Sequence, residues 1–319
     1  MNPEIQFEVL INDSFENINS QEGLVPIHNK KVLSLINDFE DGSWRYTKFH
    51  DFIWDNVVET ALSKSERDKL INHDHTRLRT AAMNLRLTDK DKKGKDNKKG
   101  EYIGKGSELA EIVLYGIMKQ YYSALSVVPK IFYKQNSKDN AKGADSVHIV
   151  LEGDNDFSLW FGEAKFYNSI EDTRLDSIIE SVGNSLQTDK IKKENSIITN
   201  IQDLDLVINN AELLNRIKTL LSERTSIDDL KPKLHIPILL LHQCEITKSC
   251  KEMSGEYINQ IIDYHKDRAQ AFFTKQISKL SESINKYSSI TFHLILFPVP
   301  DKKIIVDKFI KTVEFYKEQ

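Results

Sequence analysis

The chain opens on an alternating run. In Ile5-Gln6-Phe7-Glu8-Val9-Leu10-Ile11 apolar and polar residues largely take turns, which predicts a strand. Lys30–Phe39 and Trp44–Ser63 space their apolar residues as helices do, and a shorter helix is predicted over Thr80–Leu87. Further along, Ser107 is placed to cap a helix that runs to Tyr122, with Leu109, Ile112, Val113, Gly116 and Ile117 on one stripe. Three β-rich runs follow, Val127–Lys134, Ala144–Leu151 and Phe157–Phe166. Asp172–Leu186 has Leu175, Ile178, Ile179, Val182 and Leu186 at helical spacing, and a second helical stretch is predicted over Asn195–Ser222. A buried strand at Leu234–His242 precedes a long helix ending near Tyr287. A last strand at Ile290–Phe297 leads into a helix from Lys302 to Tyr316. This order predicts an α/β sandwich with a mixed central sheet, preceded by a mostly helical N-terminal part.

One stretch interrupts the pattern. From Thr88 to Gly106 the sequence TDKDKKGKDNKKGEYIGKG offers lysine, aspartate and glycine without periodic apolar residues, so it cannot bury a surface of its own. It divides the chain into an N-terminal region, 1–88, a Lys-rich loop, 89–106, and a larger domain, 107–319. Composition narrows the field. A hydrophobic fraction of 39% with 29% charged residues describes an ordinary soluble fold. A net charge of -4 argues against a general polyanion binder, yet leaves room for a local basic groove. The start carries acids and no basic n-region, so it does not read as a secretory signal. No apolar run approaches the ~20 residues of a membrane helix. Cys244 and Cys250, spaced as CEITKSC, match no zinc pattern and read as free thiols. Together these features predict a cytoplasmic protein with no membrane partner.

The stretch that carries chemistry is KGADSVHIVLEGDNDFSLWFGEAKFY, Lys142 to Tyr167. Its middle, Glu152-Gly153-Asp154-Asn155-Asp156, clusters turn residues between two alternating runs and so predicts a hairpin. Counting outward from Asp154 in antiparallel register sets Leu151 against Phe157, Ile149 against Leu159, Val147 against Phe161 and Asp145 against Glu163. These side chains share one face. Two carboxylates would then sit opposite each other at the end of an apolar stripe, their Cβ atoms roughly 4.5–5.5 Å apart, an arrangement that destabilises a sheet unless a cation lies between them. Mg²⁺ accepts one or two protein carboxylates plus water. Lys165, two residues past Glu163 on the same face, places an ammonium where it can hold an attacking water and offset charge on a phosphate. A bare Glu-x-Lys at a strand end is more often a solvated rim. The in-register aspartate is what turns the reading toward chemistry, and a slip of one residue would undo it.

Gly143-Ala144-Asp145 followed by Glu163-Ala164-Lys165, set in the order helix, three strands, helix, resembles the PD-(D/E)xK nuclease superfamily. That resemblance implies a restriction-endonuclease-like sandwich. It implies Asp145 and Glu163 as ligands of Mg²⁺ (or Mn²⁺), the Ala164 carbonyl completing the metal site, and Lys165 as the catalytic lysine. It also implies a glutamate from the preceding helix. With the stripe Leu109–Ile112–Val113–Gly116 taken as the inward direction, Glu108 lies at its flank and Glu111 nearly opposite, which favours Glu108 over Glu111. The wording KGSELAEIVLYGIM, KGADSVHIVLE and FGEAKFYNSI, over roughly residues 100–300, further resembles HamA, the nuclease subunit family of the Hachiman anti-phage system. This implies DNA cleavage with little sequence preference and a superfamily 2 helicase partner (HamB-like). No Gly-x-x-x-x-Gly-Lys-Ser/Thr occurs here, so any ATP-driven step would come from that partner. Residues 1–100 match nothing by this reading and are the expected docking region.

Other signals carry less. His73-Asp74-His75 reads as a solvated loop, since adjacent residues rarely converge on one ion. His242 and His293 sit in apolar strands as core histidines. Trp44, Trp54, Tyr121 and Tyr122 read as packing residues rather than base-stacking platforms. The run Lys90–Lys99 is a solvated loop with an outside claim to phosphate contact. The competing function is a catalytically silent nuclease-fold scaffold or DNA-binding subunit that regulates the helicase. The complete Asp145–Glu163–Lys165 set favours the enzyme.

Overall fold

A computed structural model describes residues 5–86, 107–133, 144–153, 155–200 and 203–319. In chain order the first elements are β1 (Glu8–Ser14), α1 (Phe15–Ile18), β2 (Lys30–Ile36), β3 (Phe39–Glu40), β4 (Ser43–Trp44), α2 (Tyr46–Ala61), α3 (Lys64–Lys69) and α4 (Asp74–Asn84). Then come α5 (Ser107–Tyr122), β5 (Leu125–Val128), α6 (Lys130–Tyr133), β6 (Ser146–Leu151), β7 (Phe157–Tyr167), α7 (Asp172–Ser185), α8 (Thr188–Asn200), α9 (Asp203–Val207), α10 (Ala211–Leu220) and α11 (Ile227–Leu230). The chain closes with β8 (Leu234–Gln243), α12 (Glu245–Ser249), α13 (Gly255–Leu280), β9 (Thr291–Val299) and α14 (Lys302–Glu318).

Seven strands form one mixed sheet in the order β1-β2-β9-β8-β7-β6-β5. The central pairings β2–β9, β9–β8 and β8–β7 are parallel, while β1–β2, β7–β6 and β6–β5 are antiparallel. Apolar side chains leave both faces. One face meets α7, α8, α10 and α13 through residues such as Phe161, Ile178, Ile179, Leu213 and Phe272. The other meets α2, α5 and α14 through Trp160, Ala164, Phe52, Leu114 and Phe309. The α/β sandwich with a mixed sheet is therefore present, and residues from both sides of the Lys-rich segment share its sheet.

Four predicted elements need correction. Lys30–Phe39 is not a helix but strand β2, Lys30–Ile36. Both of its faces are covered, so Val32, Leu33, Leu35 and Ile36 are all buried and no period of two shows in the sequence. The first β-rich run, Val127–Lys134, ends early: β5 stops at Val128 and residues 130–133 turn into α6. The helical stretch predicted over Asn195–Ser222 is broken into α8, α9 and α10, and the long helix ends at Leu280 rather than near Tyr287. The N-terminal part also holds more strand than expected, because β1 and β2 form one edge of the main sheet. The Lys90–Lys99 run and Asp154 lie outside the described residues. Trp44 is buried, Tyr121 bonds the Phe7 backbone, and Tyr122 packs on Trp160 with ring centroids 4.8 Å apart, so these aromatics are packing residues.

A buried ion pair supports the sheet's β5 end. The Lys130 ammonium on α6 meets the Glu194 carboxylate on α8, with only 3% of either side chain exposed. Glu194→Ala leaves a buried ammonium short of its carboxylate, and a loss of roughly 3 kcal/mol or more is expected. Urea unfolding measures it, and the double variant Lys130→Met with Glu194→Ala should recover most of that loss.

Candidate active site

The hairpin β6–β7 pairs Leu151 with Phe157, Ile149 with Leu159 and Val147 with Phe161. Gly153 turns the chain at φ +78°, a conformation that glycine adopts without steric penalty. β7 outruns its partner. Beyond Gly162 it continues to Tyr167 against β8 alone, and the chain entering β6 crosses that exposed edge at Asp145. The Asp145 amide donates to the Gly162 carbonyl at 2.8 Å, and the Ala164 amide donates to Asp145 Oδ2 at 3.1 Å. The aspartate is thus held by the backbone of the neighbouring strand.

Glu163 and Lys165 project from the same face of β7. Lys165 Nζ donates to Asp145 Oδ2 at 3.2 Å and to Glu163 Oε2 at 3.3 Å, and Ser181 Oγ on α7 donates to Glu163 Oε2 at 2.9 Å. Three chain positions read from the sequence therefore meet in one cluster. Exposure grades across it. The Glu163 side chain is 4% exposed, Asp145 18% and Lys165 31%, so the cluster opens to solvent on the lysine side.

Burial, with the Asp145 charge added to it, pushes the Glu163 carboxyl up to about 7, although Lys165 and Ser181 pull the other way. For Lys165 burial acts to lower the pKa, but the two carboxylates outweigh it and the ammonium is held above its ordinary value. The trio thus has one excess negative charge when ionised, and a cation of higher charge density than an ammonium would relieve it.

The helix-borne glutamates part company. Glu108 Oε1 accepts the Arg86 amide at 3.0 Å, and its charge also acts on Lys317 of α14. Glu111 is buried and lines a narrow cleft with Asp145, Tyr115, Lys130 and Ser146, and Glu108 does not line it. α5 is buried from Leu109 through Met118 without a break, so no single stripe marks its inward side. It packs on the sheet with one side and on α2 with the other: a Cβ on Gly116 would lie 2.4 Å from Phe52 and 2.7 Å from the Asn56 amide. Among the described residues no group of three or more His, Cys, Asp or Glu side chains is disposed to hold a metal, so any ion here would rest on two carboxylates plus backbone and water. His73 and Asp74 stand at the N-terminus of α4, where Asp74 pairs with Arg77.

Two contributors were not read from the sequence. Lys130 lies in a segment whose sequence predicts a strand, and nothing in its spacing marks it. Gly162 carried a signal, since a glycine inside a buried strand points to close approach. A Cβ there would lie 2.2 Å from Ser146 Oγ and 2.8 Å from Leu114 of α5. Gly162→Val should therefore force β6 and α5 away from β7, with a loss of about 1–3 kcal/mol, measured by thermal unfolding. It should also spoil the Asp145–Lys165 contact.

The sequence model of the HamA family matches residues 12–313. The chain belongs to the HamA family. No curated protein matches it. HamA membership supports a role as a subunit of the Hachiman anti-phage defence system. The HamA match reaches back to residue 12, so the N-terminal region, for which the motifs offered no likeness, belongs to the family's shared sequence. Among the described residues no helix is long and apolar enough to cross a membrane.

Proposed function

We propose that this HamA-family chain is a metal-dependent DNA nuclease of the PD-(D/E)xK type, working as a subunit beside a superfamily 2 helicase. The observation that supports it most is the convergence of Asp145, Glu163 and Lys165, where one ammonium bridges a carboxylate on β7 and one on the chain entering β6, at 3.3 and 3.2 Å.

The donors fit a hard divalent ion. Asp145 and Glu163 offer carboxylate oxygens and Ala164 a backbone carbonyl, which suits Mg²⁺ or Mn²⁺ with water completing the shell. Glu111, rather than Glu108, is the helix-borne acid we place nearest, because it lines the cleft with Asp145. When bound, such an ion polarises a phosphoryl oxygen and makes its water more acidic. The chain's own residues set up the rest. The Ala164 amide fixes the Asp145 carboxylate, and Ser181 fixes that of Glu163. Lys165 presents ammonium protons toward solvent, where they can orient a water and stabilise charge growing on a phosphodiester. Little sequence preference is expected, because phosphate contacts carry no base information.

The test is incubation of the purified chain, alone and with its helicase, with supercoiled plasmid in Mg²⁺, in Mn²⁺ and in EDTA. Cleavage confined to the divalent-ion samples is the expected result. Cleavage undiminished by EDTA would refute the metal-dependent reading. No cleavage in any sample would leave the scaffold role standing in its place.

A further inference from the structure

The cluster is not the whole of the open edge of β7. Backbone N–H and C=O groups alternate sides along a strand, so Ala164 and Phe166 face the same way. The Ala164 amide is turned to Asp145, away from β8. The Phe166 carbonyl therefore lies on that same open edge, two residues and ~6.6 Å farther along. What meets it comes from the other end of the chain: Lys302, the first residue of α14, donates its Nζ to Phe166 O. Its position is defined twice more. Its amide donates to Gln243 Oε1 at the end of β8, at 3.2 Å, and its Nζ stands 5.1 Å from the centre of the Phe166 ring.

Lys302 is not alone there. Burial holds Lys302 below its ordinary pKa, and the charge of Arg174, in the first turn of α7, adds to that. Arg174 is exposed, and neither cation has a carboxylate partner within ion-pair distance among the described residues. The neighbouring acids are engaged elsewhere: Glu171 and Asp172 both face Arg268. Two like charges near each other at the N-terminal ends of α7 and α14, neither in an ion pair among the described residues, raise the local potential and favour an anion there. An ammonium that spends one N–H on a carbonyl keeps two more donors, and a guanidinium presents a fork that suits phosphate.

We infer that Lys302 and Arg174 form a phosphate-binding subsite that holds the DNA backbone about one nucleotide from the phosphodiester at the Asp145–Glu163–Lys165 cluster. This rests on the nuclease reading and extends it. A strand laid along the open edge of β7 meets the acid–lysine cluster at Ala164 and the cation pair at Phe166. These are binding residues, not catalytic ones. Their contribution is to set the register of the backbone, without reading bases.

The test measures binding and cleavage separately. Arg174→Ala, Lys302→Met (which keeps the stem that packs on Phe166) and the double variant are titrated against a fluorescein-labelled duplex by anisotropy. Ca²⁺ replaces Mg²⁺, and NaCl is varied. Each single substitution should weaken binding about 3- to 10-fold irrespective of sequence, and should reduce the slope of log K against log salt by about 1. Unchanged affinity and slope in the double variant would overturn the subsite. Parent protein assayed for Mg²⁺-dependent plasmid cleavage alongside separates the two failures. If the parent cleaves while the double variant binds like it, the subsite is wrong and the nuclease reading stands. If the parent neither binds nor cleaves, the nuclease reading itself falls and takes the subsite with it.

Discussion

Glu163→Gln should lower DNA cleavage by about a thousandfold while leaving the metal-free protein as stable as the parent, or more so. The amide keeps the shape of the side chain but offers no anionic oxygen to a metal. Its stability effect follows from the same geometry. Glu163 is almost wholly enclosed, and burial plus Asp145 push its carboxyl up to about 7, so at pH 8 the ionised form is held against its preference. Removing the charge relieves that. Lys165→Met makes the useful contrast. It should be equally inactive, but less stable, because it leaves two carboxylates facing each other without their shared ammonium. Plasmid nicking rates with thermal melts on the same preparations check both halves. Either variant cleaving at the parent's rate would show that the catalytic assignment is mistaken.

Acid should unfold this protein well above the pH at which carboxylates titrate. His148, His242, His265 and His293 are buried in the sheet and its flanking helix α13. Burial is the main cause in each case. It holds His148 down to about 3 and His242 to about 4, and it keeps His265 and His293 well below 6.5, helped by His242 and His235 respectively. The folded state keeps these imidazoles neutral, whereas the unfolded chain protonates them below about 6.5. A histidine of this kind contributes stability above its unfolded pKa and loses it as pH falls toward the folded one, at about 1.4 kcal/mol per pH unit. Four together make a slope of roughly 5 kcal/mol per unit, which is comparable to the whole stability of many domains. Glu163 has the opposite sign: its contribution is present below about 4.5 and is lost as pH rises through about 7, one carboxyl against these four imidazoles and against His50 and His235, which burial also holds down to about 4. Urea midpoints from pH 8 to pH 5 should therefore fall steeply below 6.5. Midpoints that stay level across that range would mean the imidazoles find water or partners when charged.

The hairpin was legible because its alternation is strict and its turn residues cluster. Once Asp154 is taken as the centre, the period of two leaves one register, and Asp145, Glu163 and Lys165 follow from counting. The motif wording placed the chain with its family for the same reason, since those residues are contiguous. Helices with one buried face, α2, α7 and α14, were also readable, because their apolar stripes repeat at 3.6 residues.

Elements buried on both sides were not. In β2, and in α5 from Leu109 to Met118, nearly every position is buried, so no face stands out. The spacing of Lys30–Phe39 therefore predicts a helix where the chain forms a strand, and the spacing on α5 does not single out Glu111, which lines the cleft with Asp145. Sequence periodicity reports one solvent boundary, and these segments have none. The joining of β1 and β2 to β9, across about 260 residues, depends on sheet closure, which no local pattern encodes. The same holds for the meeting of Lys302 with Phe166 and of Lys130 with Glu194. By itself the sequence determined the acid–lysine hairpin, the family and the class of fold. Only the tertiary structure decided which helix-borne acid and which distant cations stand beside that hairpin. Those partners are chosen by how helices stack on the sheet, and stacking brings together residues whose separation along the chain carries no information about their separation in space.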